Sequence, residues 1–353
     1  MTKHIHGGDV YKYDHCLDFS ANCNPLGTPQ SVKQAIIDSV EDLSDYPRVG
    51  CGPLKEAIAD YEHTKKEYLI CGNGAADLIF SLSRALNPKK ALLPAPTFAE
   101  YEQALVSVGC EISRYYLKEE NDFCIQKDYP DVLKREKPDI IFLCNPNNPT
   151  GNLIPEDILV NILDICRDRN IVVVADECFL RFNPQYEIIS CKRFLDDYDN
   201  LVIINAFTKF YAMAGIRLGY MMSANTGLIN RVSLQLPEWN VSSVAQRAGI
   251  AAFADKDYEK YTHELIQRER QFLFNELSDM KCIVYPSQAD YLTFRLPQSK
   301  AGCMIQEELL KHGILIRSCG SYHNMPADCY RIAVKQHADN EVLINNMRQI
   351  LEV

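Results

Sequence analysis

Short runs of β-branched and other apolar residues alternate along this chain with stretches in which apolar positions recur every three or four residues. That alternation is the pattern of a parallel sheet crossed over by helices. The apolar runs predict strands over residues 90–93, 111–116, 139–143, 171–175, 201–205 and 218–222. The clearest helix carries Pro155 in its first turn and places Ile158, Ile162, Ile165 and Cys166 on one face, just ahead of the run at Ile171. Strand, helix and strand there form one crossover unit. After about residue 240 the pattern changes: a long charged helical segment over 257–277 leads to strands over 291–296, 314–317 and 330–334, and then to a terminal helix. The expected fold is α/β, with a mostly parallel central sheet flanked by helices. An N-terminal arm is expected over 1–35, a large domain over 36–240 and a smaller α+β domain over 241–353.

Length agrees with two domains, since 353 residues exceed what one hydrophobic core usually supports. The formal net charge of -10, with no basic stripe, argues against a nucleic-acid surface, because phosphate backbones demand clustered Lys and Arg. The longest apolar runs, such as those at Ile140 and Ile171, fall far short of the roughly 18 to 20 residues of a membrane span. The first residues, MTKHIHGGDVYKYDH, have no apolar signal core, which points to the cytoplasm. Fourteen cysteines are scattered with no CxxC pair, so they read as reduced, buried thiols. His4 and His6 form an HxH pair near Cys16, but no second ligand pair follows at zinc-like spacing, and no metal is expected.

The chemistry concentrates in four polar residues at or just beyond strand ends. Asn148 lies in NPNNPTG, Asp176 in VVVADE, Lys209 after Thr208, and Arg217 eight residues after the lysine. Pyridoxal phosphate needs a lysine amine to hold its aldehyde and a carboxylate to keep its ring nitrogen protonated. Lys209 and Asp176 suit those roles, Asn148 can bond the ring's 3-oxygen, and the planar fork of Arg217 can pair with the cofactor phosphate. Phosphate should also meet the free amides of Gly74, Ala75 and Ala76, where a glycine turn feeds a helix over 75–86. The ring of Phe98 is placed to stack on the pyridine.

With these motifs in hand, the chain resembles the fold type I pyridoxal phosphate enzymes. NPNNPTG, the Asp176-Glu177 pair, Thr208-Lys209 and GIRLGY at 215–220 match the branch that holds histidinol-phosphate aminotransferases and the threonine-phosphate decarboxylases of cobalamin synthesis. HGGD at 6–9, DFSANCNPLG at 18–27 and ILIRSCGSY at 314–322 with YRIAVK at 330–335 look more like the decarboxylases. The resemblance implies a homodimer that decarboxylates O-phospho-L-threonine, with O-phospho-L-serine decarboxylation or histidinol-phosphate transamination as alternatives. It also implies that His6, Gly7, Asn22, Asn148, Arg317 and Arg331 contact a phosphorylated amino acid, and that Thr208 helps hold the cofactor phosphate. Asp9 stands where such decarboxylases usually have asparagine, and Ala206 where many relatives have serine or threonine. Cys51 replaces a tyrosine that reaches across the dimer in some of them. Phe179 replaces the tyrosine common in the aminotransferases, as the decarboxylase pattern also does.

Overall fold

The structure is a computed structural model that describes residues 7–13, 16–300 and 302–352. His4 and His6 therefore lie outside the described residues. In chain order the described strands begin with β1 (Leu17–Asp18), β2 (Leu69–Gly72), β3 (Lys90–Ala95), β4 (Glu111–Tyr116) and β5 (Ile140–Cys144). They continue with β6 (Val172–Asp176), β7 (Leu201–Ala206), β8 (Gly219–Met222), β9 (Ile283–Tyr285) and β10 (Tyr291–Arg295). The last are β11 (Ile314–Leu315), β12 (Arg317–Ser318) and β13 (Cys329–Ala333).

Seven strands form the central sheet in the order β2-β8-β7-β6-β5-β3-β4. The run from β4 to β7 is parallel, whereas β8 is antiparallel to both β7 and β2. Strand β2, all four residues of which are buried, is not among the predicted strands. Successive side chains of the inner strands go to opposite faces, as strand geometry requires. Ile141, Val173 and Ile203 enter one apolar core, while Ile140, Val174 and Ile204 enter the other. Helices cover both faces, which is why these strands are apolar throughout. The predicted helix appears as Glu156–Asp168 and buries Ile158, Ile162 and Cys166 as expected, together with Leu159 and Leu163.

A second, antiparallel sheet has the order β12-β13-β10-β9. Its residues Tyr291, Phe294 and Ile332 share one continuous core with the first face of the central sheet. The helix Lys256–Asp279 starts at Asp255, whose side chain caps the amide of Tyr258. One strand expectation needs correction. The run predicted as a single strand over 314–317 changes partner at buried Ile316: β11 pairs in parallel with β1, and β12 pairs with β13. Backbone bonds from Phe19 to Leu315 and from Ala333 to Phe19 extend that stitch, so the residues just after β1 are tied into the second sheet. No helix among the described residues is long and apolar enough to cross a membrane.

Candidate active site

The carboxyl ends of β3, β5, β6 and β7 converge on one cavity of about 260 Å³, lined among others by Ala95, Cys144, Asp176 and Ala206. Open α/β sheets bind ligands on this side. Lys209 and Asn148, each shortly after a strand, also line it.

At one end Gly74 has φ +86° and immediately precedes the helix Ala75–Leu86, with no side chain capping the helix start. That φ is one that side chains rarely adopt, and a Cβ there would stand 2.7 Å from Nη2 of Arg217 and push the guanidinium aside. The guanidinium of Arg217 thus lies against the positive end of a helix, beside Ala75 and Ala76, both of which line the cavity. Uncapped amides, the helix dipole and a fixed cation in one place suit a phosphate dianion. Thr208 lines the same cavity and is buried.

Asp176 ends β6 and is buried. Its Oδ2 accepts a hydrogen bond of 2.7 Å from the hydroxyl of Tyr101, and its Oδ1 accepts one of 3.0 Å from the amide of Cys178. Tyr101 stacks on Phe142 at 4.8 Å and meets Phe98 edge-on at 5.5 Å. Burial, reinforced by the negative Asp176, pushes the Tyr101 phenol well above its ordinary value, so it stays protonated and remains a donor. The sequence gives Tyr101 no distinction from other core aromatics. Lys209 follows β7 in the short helix Phe207–Phe210, with its amine 5.6 Å from the centre of the Phe179 ring. Phe179 in turn meets Tyr291 edge-on at 5.1 Å.

Asn148 Oδ1 accepts bonds from Arg331 Nη1 at 2.5 Å and from the Tyr322 hydroxyl at 3.2 Å. Arg331 Nη2 donates to the carbonyl of Ser20 at 2.9 Å, while its Nε is buried without a partner. Arg317 donates from Nη2 to Ser321 Oγ at 2.8 Å. The two arginines are direct cross-strand partners and only 7% and 5% exposed. Like charges placed opposite each other repel. Among the described residues neither arginine pairs with a carboxylate, unlike Arg295 on the same sheet, which pairs with both Glu119 and Asp328. Asn22 faces the cavity with a buried Oδ1 that has no partner. These unengaged donors and acceptors are what an anionic, hydrogen-bonding ligand would satisfy.

Gly7 lines the cavity as well, pressed against Ser20 so closely that a Cβ would sit 2.3 Å from the Ser20 carbonyl oxygen. Asp9, an unexpected carboxylate in the arm, pairs with Lys12 at 2.5 Å on the exterior. Sequence reasoning missed the cavity's outer rim. There Arg114 and His323 both contact Glu102, at 2.6 and 3.3 Å. No group of three or more His, Cys, Asp or Glu among the described residues is arranged to hold a metal ion.

A profile of the aminotransferase class I and II family matches residues 14–347. The threonine-phosphate decarboxylase of Salmonella typhimurium is 34% identical over 98% of this chain and 96% of its own length. A histidinol-phosphate aminotransferase of Methanosphaera stadtmanae is 29% identical over 95% of this chain and 90% of its own. Among solved structures, the histidinol-phosphate aminotransferase of Clostridium acetobutylicum is similar with a TM-score of 0.87 at 30% identity, covering 95% of this chain and 99% of that one. Sheet order, the strand-end site and a match over nearly the whole length agree: this chain belongs to the aminotransferase class I and II family.

Proposed function

We propose that the protein is a pyridoxal-phosphate-dependent carboxy-lyase that converts O-phospho-L-threonine to (R)-1-amino-2-propanol phosphate, a building block of the cobamide nucleotide loop. The observation that carries this reading is the Arg317–Arg331 pair, buried without a carboxylate in the cavity that also holds Lys209 and Asp176. Its support among relatives is the 34% identity to a threonine-phosphate decarboxylase.

The cavity fits the cofactor on three counts. Gly74, Ala75, Ala76, Thr208 and Arg217 form an anion cradle, and the Asp176 carboxylate and the Lys209 amine line the same cavity. When bound, the cofactor supplies an electron sink for a bond broken at the substrate's α-carbon. Lys209 holds the aldehyde and carries a proton at the α-carbon. Asp176, fixed by Tyr101 and the Cys178 amide, keeps the ring nitrogen protonated. Phe98 and Asn148 position the ring and its 3-oxygen.

Which bond the cofactor would help to break depends on which group of the substrate the protein anchors. Arg317 and Arg331, with Asn22, Gly7 and His6, grip the distal phosphate through charge-assisted bonds. The substrate's carboxylate would then be left without an arginine of its own and would be the group lost. In this reading the domain holding the cofactor spans 36–240, the smaller one 241–353, and the arm 1–35 contributes Gly7 and Asn22 to the substrate site.

A homodimer fits the apolar surface over 37–49, where Ile37, Leu43 and Tyr46 are 62%, 62% and 78% exposed. Tyr46 there packs on Trp239 at 4.5 Å between ring centres. The fourteen free thiols suit a reducing cytoplasm.

The test is incubation with phosphothreonine, with phosphoserine, and with histidinol phosphate plus 2-oxoglutarate, following carbon dioxide and glutamate separately. Carbon dioxide from phosphothreonine with no glutamate supports the reading, and glutamate without carbon dioxide overturns it. Preference between the two phosphoamino acids rests on one methyl group, worth about 1 to 3 kcal/mol. Purified protein should also be yellow, and Lys209→Ala should lose the covalent link and turnover together.

A further inference from the structure

Strands β12 and β13 are joined by a loop in which three consecutive residues, Ser321, Tyr322 and His323, line the active-site cavity. A backbone bond of 2.9 Å from the Tyr322 amide to the Cys319 carbonyl closes its first turn. The loop is anchored on either side of Tyr322. Ser321 Oγ accepts from Arg317, while Asn324 Nδ2 donates to the carbonyls of Ala95, at the end of β3, and Leu117, just beyond β4. The Tyr322 ring also lies against the Arg317 guanidinium, 5.5 Å from ring centre to central carbon. Both sheets thus fix where the Tyr322 hydroxyl stands.

That hydroxyl donates to Asn148 Oδ1 at 3.2 Å, and Arg331 Nη1 donates to the same oxygen at 2.5 Å and to the hydroxyl oxygen at 3.5 Å. A guanidinium carries donors only, so the atom facing it must be the amide oxygen. The Asn148 side chain therefore has one orientation. Its oxygen is taken by Tyr322 and Arg331, while Nδ2 has no partner among the described residues. Asn148 is buried yet lines the cavity, so what its side chain offers a ligand is a donor. An anionic ring oxygen needs a donor. A guanidinium that turns to a substrate phosphate weakens its bond to Asn148, whereas the Tyr322 hydroxyl is held in place by its own loop.

We infer that Tyr322 is a positioning residue for Asn148: its hydroxyl shares with Arg331 the amide oxygen, so that Nδ2 stays turned to the cofactor, and it holds that oxygen alone once a substrate phosphate engages Arg331. The inference rests on the proposed cofactor and on the proposed grip of Arg331 on phosphate. Tyr322 acts through Asn148 rather than on the ligand. One hydroxyl thereby joins the two ends of the site, keeping the cofactor-facing amide in register while the arginine beside it changes partner.

The test uses the full-length chain with Tyr322→Phe, which keeps the ring and removes the hydroxyl, alone and combined with Arg331→Met. Cofactor-free protein is titrated with pyridoxal phosphate, and the dissociation constant is read from the visible band. Either substitution alone should weaken binding by less than about threefold, and the pair by about fivefold or more beyond the product of the two separate effects. Effects that simply multiply overturn the inference, because the two donors then do not share one acceptor. The second measurement is turnover of phosphothreonine at saturating cofactor. Tyr322→Phe should lower kcat about three- to tenfold with KM within about twofold of wild type. The same change should cause no further fall when Asn148 is already alanine. An equal fall in the Asn148→Ala background would put the hydroxyl on the substrate itself and overturn the positioning role. If wild-type protein releases no carbon dioxide from phosphothreonine, the proposed reaction fails, while the cofactor titration still decides the role of Tyr322.

Discussion

Tyr101 donates its hydroxyl hydrogen to Oδ2 of Asp176 across 2.7 Å, although the two are 75 positions apart in the chain. The bond fixes the carboxylate's orientation from a fully buried ring, and the Cys178 amide fixes the other oxygen. Hydrogen bonds to charged groups are worth about 1.5 to 3 kcal/mol. Tyr101→Phe should therefore slow turnover by roughly ten- to a hundredfold while leaving the visible absorbance of bound cofactor in place. Asp176→Asn should slow it more. Single-turnover measurements at matched cofactor occupancy decide the matter, and unchanged turnover in Tyr101→Phe would remove the tyrosine from any role in catalysis.

Arg317 and Arg331 face each other across two strands with no carboxylate between them. If they hold the substrate phosphate, Arg317→Ala should lower kcat/KM for phosphothreonine by roughly ten- to a hundredfold. The same change should barely affect the slow reaction of unphosphorylated threonine. Equal losses on the two amino acids would mean that Arg317 grips the carboxylate common to both, and the aminotransferase reading would reopen.

Glu62 is fully buried under the central sheet, bonded to Arg181, Lys192, Tyr186 and Tyr220. Burial alone would raise its carboxyl, but Arg181 and Lys192 and the bonds from Tyr220 and Lys192 outweigh that and hold it below the ordinary range. Glu62→Ala leaves Arg181 buried without a carboxylate, although Lys192 keeps its pair with Glu187, and breaking a buried pair costs about 3 to 5 kcal/mol. Urea unfolding should show a lower midpoint with an unchanged slope. A loss under about 1 kcal/mol would mean that water or a shifted side chain replaces the carboxylate.

Glu177 behaves in the opposite sense. Burial raises its carboxyl from 4.5 to about 7, against bonds from Ser190 Oγ and the Cys191 amide and with Glu62 adding to the rise. The folded protein thus binds more protons than the unfolded chain between pH 4.5 and about 7. Stability from this residue is lost as pH rises through that window. Glu177→Gln, nearly the same shape but unable to ionise, should flatten the decline in melting temperature between pH 5 and pH 8. An identical pH profile in the variant would show that Glu177 does not titrate there.

The sequence by itself determined the features whose chemistry is local. Lys209 and Asn148 follow, and Asp176 ends, apolar runs that read as inner strands of a sheet covered on both faces, and such strand ends define one side of the sheet. The glycine turn ahead of the helix Ala75–Leu86 is likewise readable, because the turn and the helix start are contiguous. Tertiary structure decided the rest. Apolar periodicity reports which face of a segment is buried but carries no information about its partner. The antiparallel turn of β8, the pairing of β2 with it and the change of partner at Ile316 were invisible for that reason. The contacts that complete the site join residues far apart in the chain: Tyr101 to Asp176, Asn148 to Arg331 and Ser20 to Arg331. Each of these polar groups is an ordinary tyrosine, arginine or serine until folding removes water and leaves a neighbour as its only partner, so the fold gives the donor its acceptor and the local string cannot.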